Sequence, residues 1–214
     1  MSEVTRKVNS TEISVRKRDL EIILQGIAPH PNPKISLEQY TTPADFAAEL
    51  LFRACYEHED IAGKSVIDLG TGTGRLAIGA SVLGAKYVLG IDIDLESLQT
   101  AWSNSRRLGT NTDWALSDID SIRGNFDTVI MNPPFGTKRE HSDIKFLQVA
   151  MRLGKVIYSI HKSATYSFLS RWLRDHGAKF ETVMVTEIAL SHQFPFHNKQ
   201  RYPVNVQVFR IKRN

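Results

Sequence analysis

Hydrophobic residues along this chain change period repeatedly, and from Ser65 onward the changes alternate in a regular way. Val66-Ile67-Asp68-Leu69 is a short, mostly apolar run that reads as a buried strand. Residues 76–83 then read as a helix, 87–91 as a strand, 95–108 as a helix and 112–116 as a weaker strand. Phe126-Asp127-Thr128-Val129-Ile130-Met131 is the next strand, followed by a helix over 144–153, a strand over 156–160 and a helix over 166–176. Two long strands near 180–190 and 204–211 close the series. The alternation predicts an α/β fold: a doubly wound, mostly parallel seven-stranded sheet, covered on both faces and finished by a C-terminal antiparallel hairpin.

Ahead of that series, Ile13, Leu20, Ile22, Ile23 and Leu24 among charges predict an N-terminal accessory helix ending at Gly26. Pro29-His30-Pro31-Asn32-Pro33 cannot be helical and makes a rigid connector. Residues 1–34 are thus expected as accessory helix and connector, and 35–214 as the main domain. Pro43, with Thr42 as its cap, is expected to start an amphipathic helix through Phe46, Leu50, Leu51 and Ala54. Gln39, Tyr40 and Thr42 then stand just before a helix N-terminus, where polar groups can face a ligand.

Composition narrows the class. Of 214 residues, 42% are hydrophobic and 23% charged, which suits a single globular domain with a full core. No apolar run approaches a membrane span and no signal-peptide pattern is present, so a cytoplasmic protein is expected. Cys55 is the sole cysteine, which excludes an internal disulfide and a cysteine-built zinc site; no metal is expected. The net charge of +4 is concentrated at the ends: Arg6, Lys7, Arg16, Lys17 and Arg18 near the start, and no acid after Glu187. Such ends suit a phosphate backbone.

Asn132-Pro133-Pro134-Phe135 follows directly on a strand. Two prolines fix φ and remove two backbone donors, leaving a stiff turn rich in carbonyl acceptors. Such a turn suits an exocyclic base amine, a poor nucleophile that gains positive charge as it attacks an electrophilic methyl group. The Asn132 side-chain oxygen and the Pro133 carbonyl accept its N–H bonds, and Phe135 stacks on the base.

The first strand opens into Gly70-Thr71-Gly72-Thr73-Gly74-Arg75. Its spacing departs from the dinucleotide fingerprint, because Arg75 stands where the third glycine belongs, and no Gly-Lys-Ser/Thr follows for a P-loop. The second strand ends in Asp92, placed to accept ribose hydroxyls, with Asp94 as cap of the next helix. The third leads to Asp118, whose carboxylate suits an adenine amine.

Together these motifs resemble a class I S-adenosylmethionine-dependent methyltransferase of the amino-methylating kind, with a Rossmann-like fold. Leu37-Glu38-Gln39-Tyr40, Asn132 through Lys138, and Ser159-Ile160-His161-Lys162-Ser163 resemble more closely the methyltransferase-like protein 5 family, adenine-N6 methyltransferases of small-subunit ribosomal RNA. The resemblance implies S-adenosyl-L-methionine contacts at Gln39, Thr42, Gly70, Thr73, Arg75, Asp92, Asp118 and Ile119, with Asn132, Pro133, Pro134 and Phe135 receiving a flipped adenine. It also implies a small zinc-binding activator protein along the edge strand 112–116, which includes Trp114. This chain departs from the animal members in the threonines of its glycine loop, a longer N-terminal extension, and a less lysine-rich loop at Pro195-Phe196-His197-Asn198-Lys199-Gln200.

His161 and Lys162 are expected near the substrate side, Lys138 and Arg139 as phosphate contacts, and Phe194, Phe196 and His197 as a base-stacking loop. Guanine N2 and protein glutamine N5 present similar planar amines and remain alternative acceptors. A non-catalytic RNA-binding module is the reading from another class.

Overall fold

The computed structural model describes residues 15–135, 142–191 and 201–213. Seven strands form one sheet: β1 (Ser65–Leu69), β2 (Tyr87–Asp92), β3 (Asp113–Leu116), β4 (Phe126–Met131), β5 (Gly154–Lys162), β6 (Lys179–Ser191) and β7 (Arg201–Lys212). Their order is β3-β2-β1-β4-β5-β7-β6, with parallel pairing up to β5 and antiparallel pairing beyond it. The expected doubly wound sheet and closing hairpin are both present. It is β7, the second strand of that hairpin, that pairs with β5. Its alternation explains this: Val206 and Val208 fill one core while Phe209 and Ile211 fill the other. A buried bridge from Arg210 Nε to Asp60 Oδ2, 2.8 Å long, fastens β7 there.

Around the sheet lie α1 (Lys17–Gln25), α2 (Ala44–Phe52), α3 (Arg75–Val82), α4 (Leu95–Leu108), α5 (Ser142–Leu153) and α6 (Tyr166–Asp175). One face buries Leu20 and Leu24 of α1 together with Phe46, Leu50 and Leu51 of α2 and Ile78 of α3. The N-terminal helix therefore shares a core with the rest of the chain, each leucine contributing about 1.5–3 kcal/mol of burial. Leu147 and Leu153 of α5 and Leu169 and Leu173 of α6 cover the other face. The helix expected from Ile13 onward starts only at Lys17, because Arg16 is extended at its N-cap, and α2 runs on through a π turn at Arg53–Glu57. Among the described residues, no helix is long and apolar enough to cross a membrane.

From β1 the chain winds outward through β2 to β3, then returns to β4 on the opposite side of β1. That reversal opens a crevice at the carboxyl ends of β1 and β4. Leu69 and Met131 are register partners at those ends. Gly70 and Asn132 thus stand one residue past paired strand ends, as neighbours.

Candidate active site

A cavity of about 380 Å³ fills this crevice, within the usual range for a small-molecule site. Gln39, Thr42, Gly70, Thr73, Arg75, Asp92, Asp118, Ile119, Asn132 and Pro134 all line it. The level ends of β1 to β4 gather the positions from Gly70 to Pro134, and the segment before α2 adds Gln39 and Thr42.

The glycine loop forms the floor. At Gly70, with φ of +70°, an added Cβ would stand 3.1 Å from Phe146 Cε1, so the ring of α5 packs directly on the bare backbone. Gly72, at φ +56°, turns its N–H onto Asp92 Oδ2 at 2.8 Å. Asp92 also accepts the Asp94 N–H at 2.9 Å, and burial raises its carboxyl above the ordinary range. Asp68 is buried beneath the loop. Its Oδ2 accepts from Thr71 Oγ1 at 2.7 Å and from the Ala77 N–H at 3.1 Å, while Oδ1 has no partner among the described residues. Desolvation pushes this carboxyl up to about 7. Asp118 accepts the Asp120 N–H at 3.0 Å, capping the turn Ile119–Ser121, and pairs with Lys145 Nζ at 3.2 Å. The Asp120 N–H, and then Lys145, hold its carboxyl low.

A strap over residues 30–42 forms the opposite wall, tied down at Asp94. Asp94 caps α4 as expected, accepting the Ser97 N–H at 3.1 Å. It also accepts from His30 Nε2 at 2.7 Å, from Gln39 Nε2 at 3.0 Å and from Lys34 Nζ. The His30 tautomer follows from its other nitrogen, since Nδ1 accepts the Asn32 N–H at 3.0 Å. Against the burial that would raise it, the donors from Lys34, His30, Gln39 and Ser97 hold the Asp94 carboxyl well below its usual range. Both N–H bonds of the Gln39 amide are engaged, to Asp94 and to Ser97 Oγ at 3.2 Å, and its Oε1 takes the Lys34 N–H at 2.7 Å.

Arg75 ties the strap to the floor, donating to the carbonyls of Thr42 and, at 3.2 Å, Ile27. Burial lowers its guanidinium to about 10, and its Nε has no partner among the described residues.

Asn132 is held between strap residues. Its Oδ1 accepts the Tyr40 O–H at 2.8 Å and its Nδ2 donates to Thr42 Oγ1 at 2.9 Å. Burial raises the Tyr40 hydroxyl well above its ordinary value, so it stays a donor. This corrects the expectation for Thr42. Pro43 occupies the N-cap position of α2 without a side-chain cap, because the Thr42 hydroxyl is turned to Asn132. Phe135 lies 5.1 Å from the Tyr40 ring, tilted by 30°, with Lys162 Nζ 5.2 Å from its centroid.

His161 is corrected as well. It is buried within β5, with Nε2 2.6 Å from Ser159 Oγ, and desolvation lowers it to about 3. A neutral side chain packed inside the sheet presents no exposed surface to a substrate. Lys138, Arg139, Phe194, Phe196 and His197 lie outside the described residues. The sequence reading missed Asp68 as a site group, along with Lys145 and Phe146, which also line the cavity. Asp68 had a signal, a carboxylate inside a buried strand; Phe146 had none.

A family model described as ribosomal protein L11 methyltransferase (PrmA) matches residues 50–133. That match ends at Pro133 and so covers the glycine loop but little of the acceptor side. Other relatives run nearly the whole length. The rRNA N(6)-adenosine-methyltransferase Mettl5 of Drosophila melanogaster is 36% identical, covering 92% of this chain and 97% of its own. METTL5 of Danio rerio, under the same description, is also 36% identical, over 92% of this chain and 99% of its own. The crystal structure of a candidate RNA methyltransferase from Pyrococcus horikoshii is 38% identical and superposes with a TM-score of 0.84, covering 93% of this chain and 98% of that one. With a glycine loop and an Asn-Pro-Pro-Phe turn side by side at one switch point, and this identity sustained from strap to hairpin, the chain belongs to the METTL5 family of rRNA N6-adenosine methyltransferases, Rossmann-like class I enzymes that use S-adenosylmethionine.

Proposed function

We propose that this protein methylates the N6 amine of an adenine in structured RNA, specifically small-subunit ribosomal RNA, with the base flipped into the Asn132-Pro133-Pro134-Phe135 turn. The observation that carries the reading is the pairing of Leu69 with Met131, which sets the glycine loop and Asn132 next to each other at one cavity. Bound S-adenosylmethionine supplies an electrophilic methyl carbon; the remaining work falls to side chains of this chain.

The residues present fit that cofactor. Among the described residues the buried Asp68 Oδ1 has no partner, which matches it to an ammonium group. Asp92 accepts ribose hydroxyls, and Asp118 with Ile119 receives the adenine. Gly70 and Thr73 bring the loop backbone close, and Gln39, Thr42 and Arg75 close the far wall. On the acceptor side, Tyr40 occupies one lone pair of Asn132 Oδ1 and leaves the second for an amine N–H. The Pro133 carbonyl takes the other N–H, and Phe135 stacks on the base. These acceptors favour the positive charge that grows on the amine as it attacks, so no strong base is needed.

We read the protein as cytoplasmic, its substrate being a ribosomal component, and propose a small zinc-binding activator protein as partner along β3. An exposed Leu116 on this edge strand supports that pairing. Leu116→Pro, which removes an N–H facing away from β2, should abolish co-purification of such a partner; unchanged co-purification would discard it.

The deciding experiment incubates the protein with labelled S-adenosylmethionine and a small-subunit rRNA transcript and identifies the modified nucleoside by mass spectrometry. N6-methyladenosine is expected with the native chain and not with Asn132→Ala. Label in N2-methylguanosine or in protein would overturn the assignment.

A further inference from the structure

The first turn of α5 is part of the cavity wall, with Lys145 and Phe146 both lining it. Phe146 packs on the bare Gly70 backbone after β1, whereas Lys145 reaches the turn after β3. Its ammonium stands 2.8 Å from Asp120 Oδ2, 3.2 Å from Asp118 Oδ1 and 3.5 Å from Asp118 Oδ2. Arg152 follows about two helical turns later on the same side of α5. It donates to the carbonyls of Ile122 at 3.2 Å and Asp120 at 3.4 Å. Helix α5 thus grips the segment from Asp118 to Ile122 twice, once by its carboxylates and once by its backbone.

The Lys145, Asp118 and Asp120 side chains are about half-exposed, and ion pairs of that kind contribute little to stability. What the lysine changes is the setting of one carboxylate. Asp118 Oδ1 accepts two donors, the Asp120 N–H at 3.0 Å and the Lys145 ammonium. Among the described residues, Oδ2 has only the long approach of that same ammonium, so it is the oxygen left for an incoming N–H. The terminal torsion of an aspartate is broad, and one donor leaves the group free to turn; a second donor, from another helix, fixes it. Without the lysine, Asp118 and Asp120 are like charges around one short turn, and their repulsion favours positions turned out to water.

We propose that Lys145 is a positioning residue for cofactor recognition, setting the Asp118 carboxylate so that Oδ2 reads the exocyclic amine of the cofactor's adenine. This rests on the reading of Asp118 as the adenine acceptor and deepens it. Selection for an amine-bearing purine then depends on a cation of α5, the helix that follows the acceptor turn in the chain.

Calorimetry with two ligands tests it: S-adenosylhomocysteine, and S-inosylhomocysteine, in which a ring carbonyl replaces the amine. The native chain should bind the first about tenfold more tightly, since the second leaves the carboxylate facing an acceptor. Lys145→Met should weaken S-adenosylhomocysteine about threefold to fivefold and move the analogue by less than about twofold, so that the gap narrows. Its Tm should stay within about 2 °C of native, as expected for a surface pair. Lys145→Arg, which keeps the charge, should restore the gap. An unchanged or wider gap in Lys145→Met, or an equal loss for both ligands, overturns the positioning role and leaves Lys145 as cavity wall. Equal binding of the two ligands by the native chain would instead overturn the reading of Asp118, and with it the role of Lys145. RNA methylation does not enter the comparison, so its absence would bear on the acceptor reading alone.

Discussion

The two walls of the cavity are built in different ways. The floor is local. Gly70 and Gly72 follow on β1 and Asp92 ends β2, and their groups face the cavity or each other across a few ångströms. The strap is assembled from a distance: His30, Lys34 and Gln39 reach Asp94 across 55 to 64 residues of sequence, and Arg75 reaches back to the Thr42 carbonyl. Its polar atoms hold the strap itself and the Asn132 amide. The difference implies a division of labour in which the floor supplies the cofactor's polar partners and the strap, besides closing the cavity, aims the acceptor site, since Tyr40 and Thr42 carry both bonds of Asn132.

Breaking each part in turn tests that division. Asn132→Ala should lower kcat by on the order of 10³, with affinity for S-adenosylhomocysteine by calorimetry within about twofold. A comparable loss of cofactor binding would mean that the walls are not separable. Asp94→Ala removes the acceptor for His30, Lys34 and Gln39 and the cap of α4, which should cost about 2 kcal/mol, or roughly 4–8 °C in Tm. Cofactor affinity should fall as well, because the strap is one wall of its cavity; an unmoved Tm would disprove the tether. Tyr40→Phe deletes a single hydroxyl. About a tenfold loss in kcat at unchanged cofactor affinity is expected, and an effect confined to KM would remove Tyr40 from aiming Asn132.

The smallest effect is a pH dependence of the floor. Asp68 titrates at about 7 in the folded protein and must be ionised to meet an ammonium. Binding of S-adenosylhomocysteine should therefore strengthen as pH rises through that value, by about threefold between pH 6.5 and 7.5. Asp68→Asn should bind more weakly and show a flat profile. A native profile that is flat, or that slopes the other way, would exclude the pairing.

The residues that were misread share one feature. Thr42 obeys the local rule for a helix cap, but Asn132, 90 residues away, takes its hydroxyl instead. Asp94 was legible as a cap, whereas its three strap donors were not, because nothing near it in sequence marks them. His161 sits at the expected end of β5, but strand parity gives it the same face as Ser159, where burial keeps it neutral and away from solvent. By contrast, Gly70, Asp92 and Asn132 were legible because turning a chain sharply at a strand end restricts the residue types that fit there.

By itself the sequence determined the order of strands and helices, the loop that brings backbone to a ligand, and the acceptor turn, since each depends on hydrophobic period or backbone freedom within about ten residues. Only the tertiary structure decided what those pieces meet: Phe146 on Gly70, Tyr40 on Asn132, the strap on Asp94, and Lys162 over Phe135. Those contacts are set by which strands become neighbours and which side each residue faces. Both are outcomes of burying one shared core, and no short stretch of residues encodes them.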